Sequence, residues 1–145
     1  MPLKARRRVA VTFSFVCEKH PFRVYGKVLK PCATFLGTVS EAAVKHPDGD
    51  VSFNVRTDPG YEGMLNAHNR REGGLHMEIV ARDQPGCTPG QPVNPGDLPR
   101  LGICSGRALV APPVGAHVRI IGQWVLDVSN NWYEIHPVWS IRKAK

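Results

Sequence analysis

The stretch VGAHVRIIGQWVLDVSNNWYEIHPVWSI, residues 114–141, decides the fold. From Gly115 the chain alternates with period two to about Asp127, Ser129-Asn130-Asn131 supplies the turn, and residues 132–142 return. Two long strands joined this tightly form a β-hairpin of the kind that closes a small barrel. On the returning strand Tyr133, Ile135, Trp139 and Ile141 are expected on one face, with Trp132, Glu134, His136 and Val138 on the other.

Upstream, the same alternation places strands at Phe22–Leu29, at 33–45 with a bulge or coil at Gly37, at 51–57 and at 75–82. His46-Pro47-Asp48-Gly49-Asp50 is a hairpin turn, because Asp-Gly accepts the positive φ such turns need. In VSFNVRT, Val51, Phe53 and Val55 alternate with Ser52, Asn54 and Arg56; in LHMEIVAR, Leu75, Met77, Ile79 and Ala81 alternate with His76, Glu78, Val80 and Arg82. Asp58-Pro59 reads as a helix start, and Tyr61, Met64, Leu65 and His68 follow at helical spacing, which predicts one short helix over 59–69. The segment QPGCTPGQPVNPGDLPRLGIC, residues 84–104, has no hydrophobic period and reads as a loop.

At 145 residues the chain has room for one core, and 14 Gly with 13 Pro is too much turn chemistry for a helix bundle. The expected fold is therefore all-β: a five-stranded OB-like barrel over 22–145 with one short helix and a Pro/Gly-rich loop, preceded by a basic extension or extra strand at 1–21. The helix falls between the second and third strands, whereas an OB helix usually lies between the third and fourth. An SH3-like barrel or a small sandwich is the alternative. The start, KARRR followed by VAVTFSFVC, has the charge order of a secretory signal, but Thr12 and Ser14 interrupt it and its alternation suits a strand. No apolar run reaches the roughly 20 residues a membrane-spanning helix needs.

The formal charge is +7, and all of the excess sits at the ends: Lys4, Arg6, Arg7 and Arg8 at one, Arg142, Lys143 and Lys145 at the other. Such ends suit a polyanion, although solubility alone also accounts for a basic chain. Four cysteines, Cys17, Cys32, Cys87 and Cys104, permit several pairings or none. Cys17, His20 and Cys32 are a weak zinc set, lacking a second close pair. A Cys87–Cys104 bridge would imply an oxidising compartment or secretion; free thiols would suit the cytoplasm.

Four segments together resemble a known bacterial domain. They are Pro31-Cys32 with TFLGTV, DGDVSFNV, GGLHMEIV, and the hairpin ending in WYEIHPV, and they cover about residues 31–141. They are similar to a domain with D-G-D-x-H-F and W-x-E-I-H-P-V motifs, whose fold is OB-like and whose activity is not firmly assigned. The resemblance thus implies a fold more than a function. Ser52 stands where that pattern has histidine, and Asn130-Asn131 replaces its His-Gly.

In an OB-like barrel the second, third and fifth strands are neighbours, so their outward residues merge into one surface. Asp50, Ser52, Asn54, Arg56, His76, Glu78, Trp132, Glu134 and His136 belong to it. Such folds bind single-stranded nucleic acid with basic and aromatic groups. Arg56, Arg119, Arg142 and Lys143 would then hold the phosphates of DNA or RNA while Trp132 stacks on a base. Paired carboxylates would repel phosphate unless a cation sat between them. The alternative is therefore a nuclease in which Glu78, Glu134 and His136, with Asp50, bind magnesium, manganese or zinc and activate water. A non-catalytic protein-interaction module is the third reading. His46 and Asp48 in the turn are a lesser metal candidate, and Arg70-Arg71 a lesser phosphate contact.

Overall fold

Five alternating segments become strands that hydrogen-bond in a closed ring, as the period-two pattern requires of a sheet with one buried face. The computed structural model describes Cys17 and residues 26–47, 49–80, 87–90, 100–104 and 109–145. Its strands are β1 (Lys27–Val39), β2 (Val44–Lys45), β3 (Val51–Thr57), β4 (Leu75–Ile79), β5 (Cys87–Gly90), β6 (Arg100–Cys104), β7 (His117–Asp127) and β8 (Trp132–Lys143). The main sheet runs β1-β7-β8-β4-β3-β2, and a further β1–β3 pairing closes it. All its pairings are antiparallel except β4 with β8, which is parallel. This is the expected OB-like order.

Closure depends on Gly37. The residue pairs with Thr57 of β3 and with Val118 of β7. A Cβ there would lie 2.6 Å from both the Arg56 carbonyl oxygen and Val55 Cγ1. Only glycine lets β1 approach both neighbours at once.

The inward residues form one core: Ala33, Phe35 and Val39 from β1, Phe53 and Val55 from β3, Leu75, Met77 and Ile79 from β4, Val118 and Ile120 from β7, and Ile135 and Val138 from β8. Tyr61, Met64 and Leu65 pack against it from the connection between β3 and β4.

Several boundaries differ from expectation. The strands expected at 22–29 and 33–45 are one strand, β1, which ends at Val39; residues 22–25 lie outside the described residues. Pro31 is tolerated because the β1–β7 register shifts between Lys30 and Ala33, so its missing N–H breaks no ladder bond. The helix expected over 59–69 is a 3₁₀ turn at Glu62–Met64 and a separate helix α1 at Ala67–Arg71. Gly60 at φ 101° and the extended Leu65 break it, and the Asp58 carboxylate, rather than capping a helix, meets His117 Nε2 at 2.7 Å. β4 ends at Ile79, and Val80, expected outward, is buried; Ala81 and Arg82 lie outside the described residues.

Within the segment read as a loop, β5 and β6 pair antiparallel, with Cys87 opposite Cys104. Val138 turns into the core rather than sharing the face of Trp132, Glu134 and His136. Two register shifts between β7 and β8, flanking Gly122, change its side of the sheet. Cys17 and Cys32 form a disulfide with their Cα atoms 5.9 Å apart, which removes both thiols from the zinc set proposed with His20. Asp48, His20 and residues 1–16 are outside the described residues.

Candidate functional site

The parallel pairing of β4 with β8 sets His76 beside Glu134 and Met77 beside Ile135. Met77 and Ile135 point into the core, so His76 and Glu134 point outward, with Glu78 and His136 two residues further along. The result is two imidazole–carboxylate pairs in alternating order. His76 Nε2 lies 3.0 Å from Glu78 Oε1, and His136 Nδ1 lies 3.1 Å from Glu134 Oε2. The four residues line a cavity of about 270 Å³ with Trp132, Asp127, Asn130 and Gly26.

Each ring is oriented by what surrounds it. Asn54 spends its amide N–H groups on Glu41 Oε2 at 2.7 Å and the Glu72 carbonyl at 3.1 Å, so its Oδ1 accepts from His76 Nδ1 at 2.8 Å. His76 thus faces two acceptors, Asn54 and Glu78, and satisfies both only as the doubly protonated imidazolium. Glu134, 5% exposed, accepts from Trp132 Nε1 at 2.7 Å through Oε1 and faces His136 Nδ1 through Oε2. The carboxylate therefore orients the His136 ring through Nδ1.

Trp132 is enclosed. His68 and His76 stack on its two faces, with ring centroids at 4.9 and 4.4 Å and interplanar angles of 28° and 22°. His68 is fixed by its Nδ1 on the Asn130 carbonyl at 2.8 Å. Sequence spacing placed His68 on the apolar side of a helix; the break at Leu65 turns it instead toward β8. An indole covered on both faces cannot stack on a base, so that role of Trp132 is corrected.

Helix α1 is tied to this face by Asn69. Asn66 caps the helix by accepting from Asn69 N at 3.0 Å, and Asn69 Oδ1 accepts from Asn66 N at 3.2 Å. The fully buried Asn69 also bonds the backbone of Tyr133 in both directions. At the tip of the β7–β8 hairpin Asp127 accepts from Ser129 Oγ at 2.7 Å and Asn130 Nδ2 at 2.6 Å, and Asn131 turns the chain with φ 54°. Asn69, His68, Asp127 and Asn130 were not recognised as site residues. Side-chain bonds to distant backbone leave no periodic signal, although an Asn three residues after an Asn cap is a local one.

The proposed metal donors do not assemble as expected. Glu78, Glu134 and His136 share the cavity, yet among the described residues no three His, Cys, Asp or Glu side chains are gathered to hold a metal ion. Both Glu134 oxygens and one of Glu78 are already engaged in hydrogen bonds. Asp50 lies at the β2–β3 turn and does not line the cavity. The neighbouring histidine of that turn, His46, places Nε2 2.8 Å from Ser52 Oγ.

The basic residues gather elsewhere. Arg119 of β7 and Arg142 of β8 are direct cross-strand partners, and with Lys143, Lys145, Ala144 and Leu36 they line a second hollow of about 350 Å³. Arg56 is exposed, opposite Thr38 of β1, and lines neither hollow. The expected nucleic-acid set therefore separates into Arg119, Arg142 and Lys143 together, Arg56 apart, and Trp132 in the acid–histidine cavity. No protein-family model, no curated protein and no solved structure matches this chain.

Proposed function

We propose that this protein binds nucleic acid, single-stranded and with little sequence preference, along the outer surface of β7 and β8. One observation carries the proposal: Arg119 and Arg142 sit directly opposite each other on adjacent strands, with Lys143 and Lys145 in the same hollow and, among the described residues, no acidic side chain lining it. Like charges directly opposite on a sheet are destabilising. A phosphate backbone relieves that repulsion and releases counterions from the nucleic acid as it binds. Leu36 adds an apolar side chain to the lining, and two guanidinium planes offer stacking surfaces to unpaired bases. Lys4, Arg6, Arg7 and Arg8, outside the described residues, add four positive charges to the chain.

Anisotropy of labelled single-stranded oligonucleotides across a salt series tests the proposal. Affinity is expected to fall steeply with salt, with a logarithmic slope of about −0.7 for each phosphate neutralised. The double substitution Arg119→Glu with Arg142→Glu should reduce that slope and weaken binding by at least about tenfold. Absence of binding at low salt overturns the proposal.

A further inference from the structure

The geometry points to a terminal phosphate monoester as the group that the hollow beside Arg119 and Arg142 takes: the protein grips a single strand by a phosphorylated end. The inference rests on the nucleic-acid reading above and names the part of the strand that is recognised.

The first observation is convergence. Leu36 of β1, Arg119 of β7 and Arg142 of β8 form one cross-strand row. The Ala144 N–H donates to the His117 carbonyl at 2.9 Å, which holds the backbone between Lys143 and Lys145 against β7. Opposite residues of an antiparallel pair have Cα atoms about 4.5–5.5 Å apart, so both guanidinium forks can close on the oxygens of one phosphate. Four cations that share one hollow of about 350 Å³ fit a single concentrated charge better than a line of spaced ones.

The second is that these charges are uncompensated. Arg119, Arg142, Lys143 and Lys145 make no side-chain hydrogen bond or ion pair with any of the described residues. An internal phosphodiester offers them two free oxygens and one negative charge. A terminal phosphate offers three oxygens and a charge of about −1.5 to −2 at pH 7, and arginine forks bind such oxygens in pairs.

The third is what lies beyond the hollow. The outward face of β3, β4 and β8 carries two further hollows, of about 270 and 140 Å³, that share His76 and Trp132. Glu41, Glu72, Glu78, Asp127 and Glu134 line them, and among the described residues no lysine or arginine does. Glu134 lies eight residues before Arg142 on β8, roughly 26 Å at about 3.3 Å per residue. A strand that leaves the basic hollow along β8 therefore runs toward carboxylates, which give a polyanion no support. Contact is confined to a short length of strand, where the extra charge of a terminal phosphate has its greatest weight.

The test compares the affinity of the full chain for one internally labelled single-stranded oligonucleotide carrying a 5′-phosphate, a 3′-phosphate or hydroxyls at both ends, by anisotropy at fixed salt. The expected result is binding about tenfold tighter for a phosphorylated end, the yield of roughly one added charge-assisted hydrogen bond; the two phosphorylated arms identify the end. A nucleoside monophosphate should compete far more weakly than the phosphorylated strand, because it lacks the contacts of the adjoining nucleotides. Equal competition would assign the hollow to free phosphate esters and overturn the inference. Arg119→Lys and Arg142→Lys keep the charge and lose the fork, so in each the ratio between phosphorylated and hydroxyl-ended affinities should fall to within about twofold. Both side chains are exposed, and neither substitution touches the core. A ratio unchanged in both variants overturns the clamp. Equal affinity of the parent chain for phosphorylated and hydroxyl-ended strands overturns this inference and leaves the binding proposal standing. No binding to any of the three strands overturns both.

Discussion

Asn69 meets Tyr133 with both ends of its side-chain amide: Oδ1 accepts from the Tyr133 N–H at 3.0 Å and Nδ2 donates to its carbonyl at 2.9 Å. One side chain thus continues the ladder at the start of β8 and docks α1 on the barrel. Asn69 is fully buried, so removing it strands polar groups that no water replaces. Asn69→Leu, close in volume, should cost about 1–3 kcal/mol for each backbone group left unpaired. Urea unfolding would show it as a lower midpoint at unchanged slope. A midpoint within error of the unmodified chain would mean that the helix docks by other contacts.

Asp127 closes the β7–β8 hairpin and gives it a pH dependence. Desolvation pushes its carboxyl up and is the largest single influence, but hydrogen bonds from the Ser129 and Asn130 side chains and backbone N–H groups together hold it down to about 2, from an ordinary 3.8. A folded-state value below the unfolded one means stability that is present above about pH 4 and lost as pH falls through about 2. The group is largely solvated, so after screening the contribution is about 1 kcal/mol. Asp127→Asn should therefore unfold at a lower temperature than the parent at pH 6 and at nearly the same temperature at pH 2. Equal differences at both pH values would remove the linkage.

The Cys17–Cys32 disulfide joins the chain ahead of the barrel to β1 across a sequence separation of 15. Closing a loop of that size limits the unfolded ensemble and contributes about 3 kcal/mol where the bond is unstrained. Cys32→Ser, or reduction of the native chain, should lower the unfolding midpoint accordingly. Thiol titration of the unreduced, denatured protein checks the pairing itself: reactivity at Cys17 or Cys32 would contradict it.

The alternation in residues 114–141 was enough to place β7, β8 and the turn between them, because each has an inner face that period two exposes directly. The inward residues of β3 and β4 were legible for the same reason. Val138 was not: its side depends on register shifts between β7 and β8, and a shift is a property of two strands that neither sequence announces alone. The helix was misplaced because Asp58-Pro59 has the composition of a helix start, while the Asp58 side chain is claimed by His117, 59 residues away. Of the site, the outward cluster of His76, Glu78, Glu134 and His136 followed from alternation. What it lacked was partners. Composition grouped acids and histidines as metal donors, whereas the structure pairs them with one another.

Trp132 separates the two halves of the functional reading. Stacked between His68 and His76 and bonded to Glu134, its indole shapes the cavity from within and offers no face to a base. Were it a nucleic-acid platform, its removal would cost about 1–3 kcal/mol of binding, some five- to hundredfold in affinity. The packing predicts otherwise. Trp132→Phe keeps a ring between the imidazoles and loses the Nε1 hydrogen bond, so single-stranded oligonucleotide affinity should stay within about twofold. The same substitution releases Glu134 Oε1, and a buried carboxylate with one donor removed costs about 1–3 kcal/mol of folding stability. Binding therefore stays and stability falls, measured by anisotropy and by urea unfolding on the same preparation. A folded Trp132→Phe protein that lost affinity tenfold would move the nucleic-acid contact from the Arg119–Arg142 hollow to the histidine cavity.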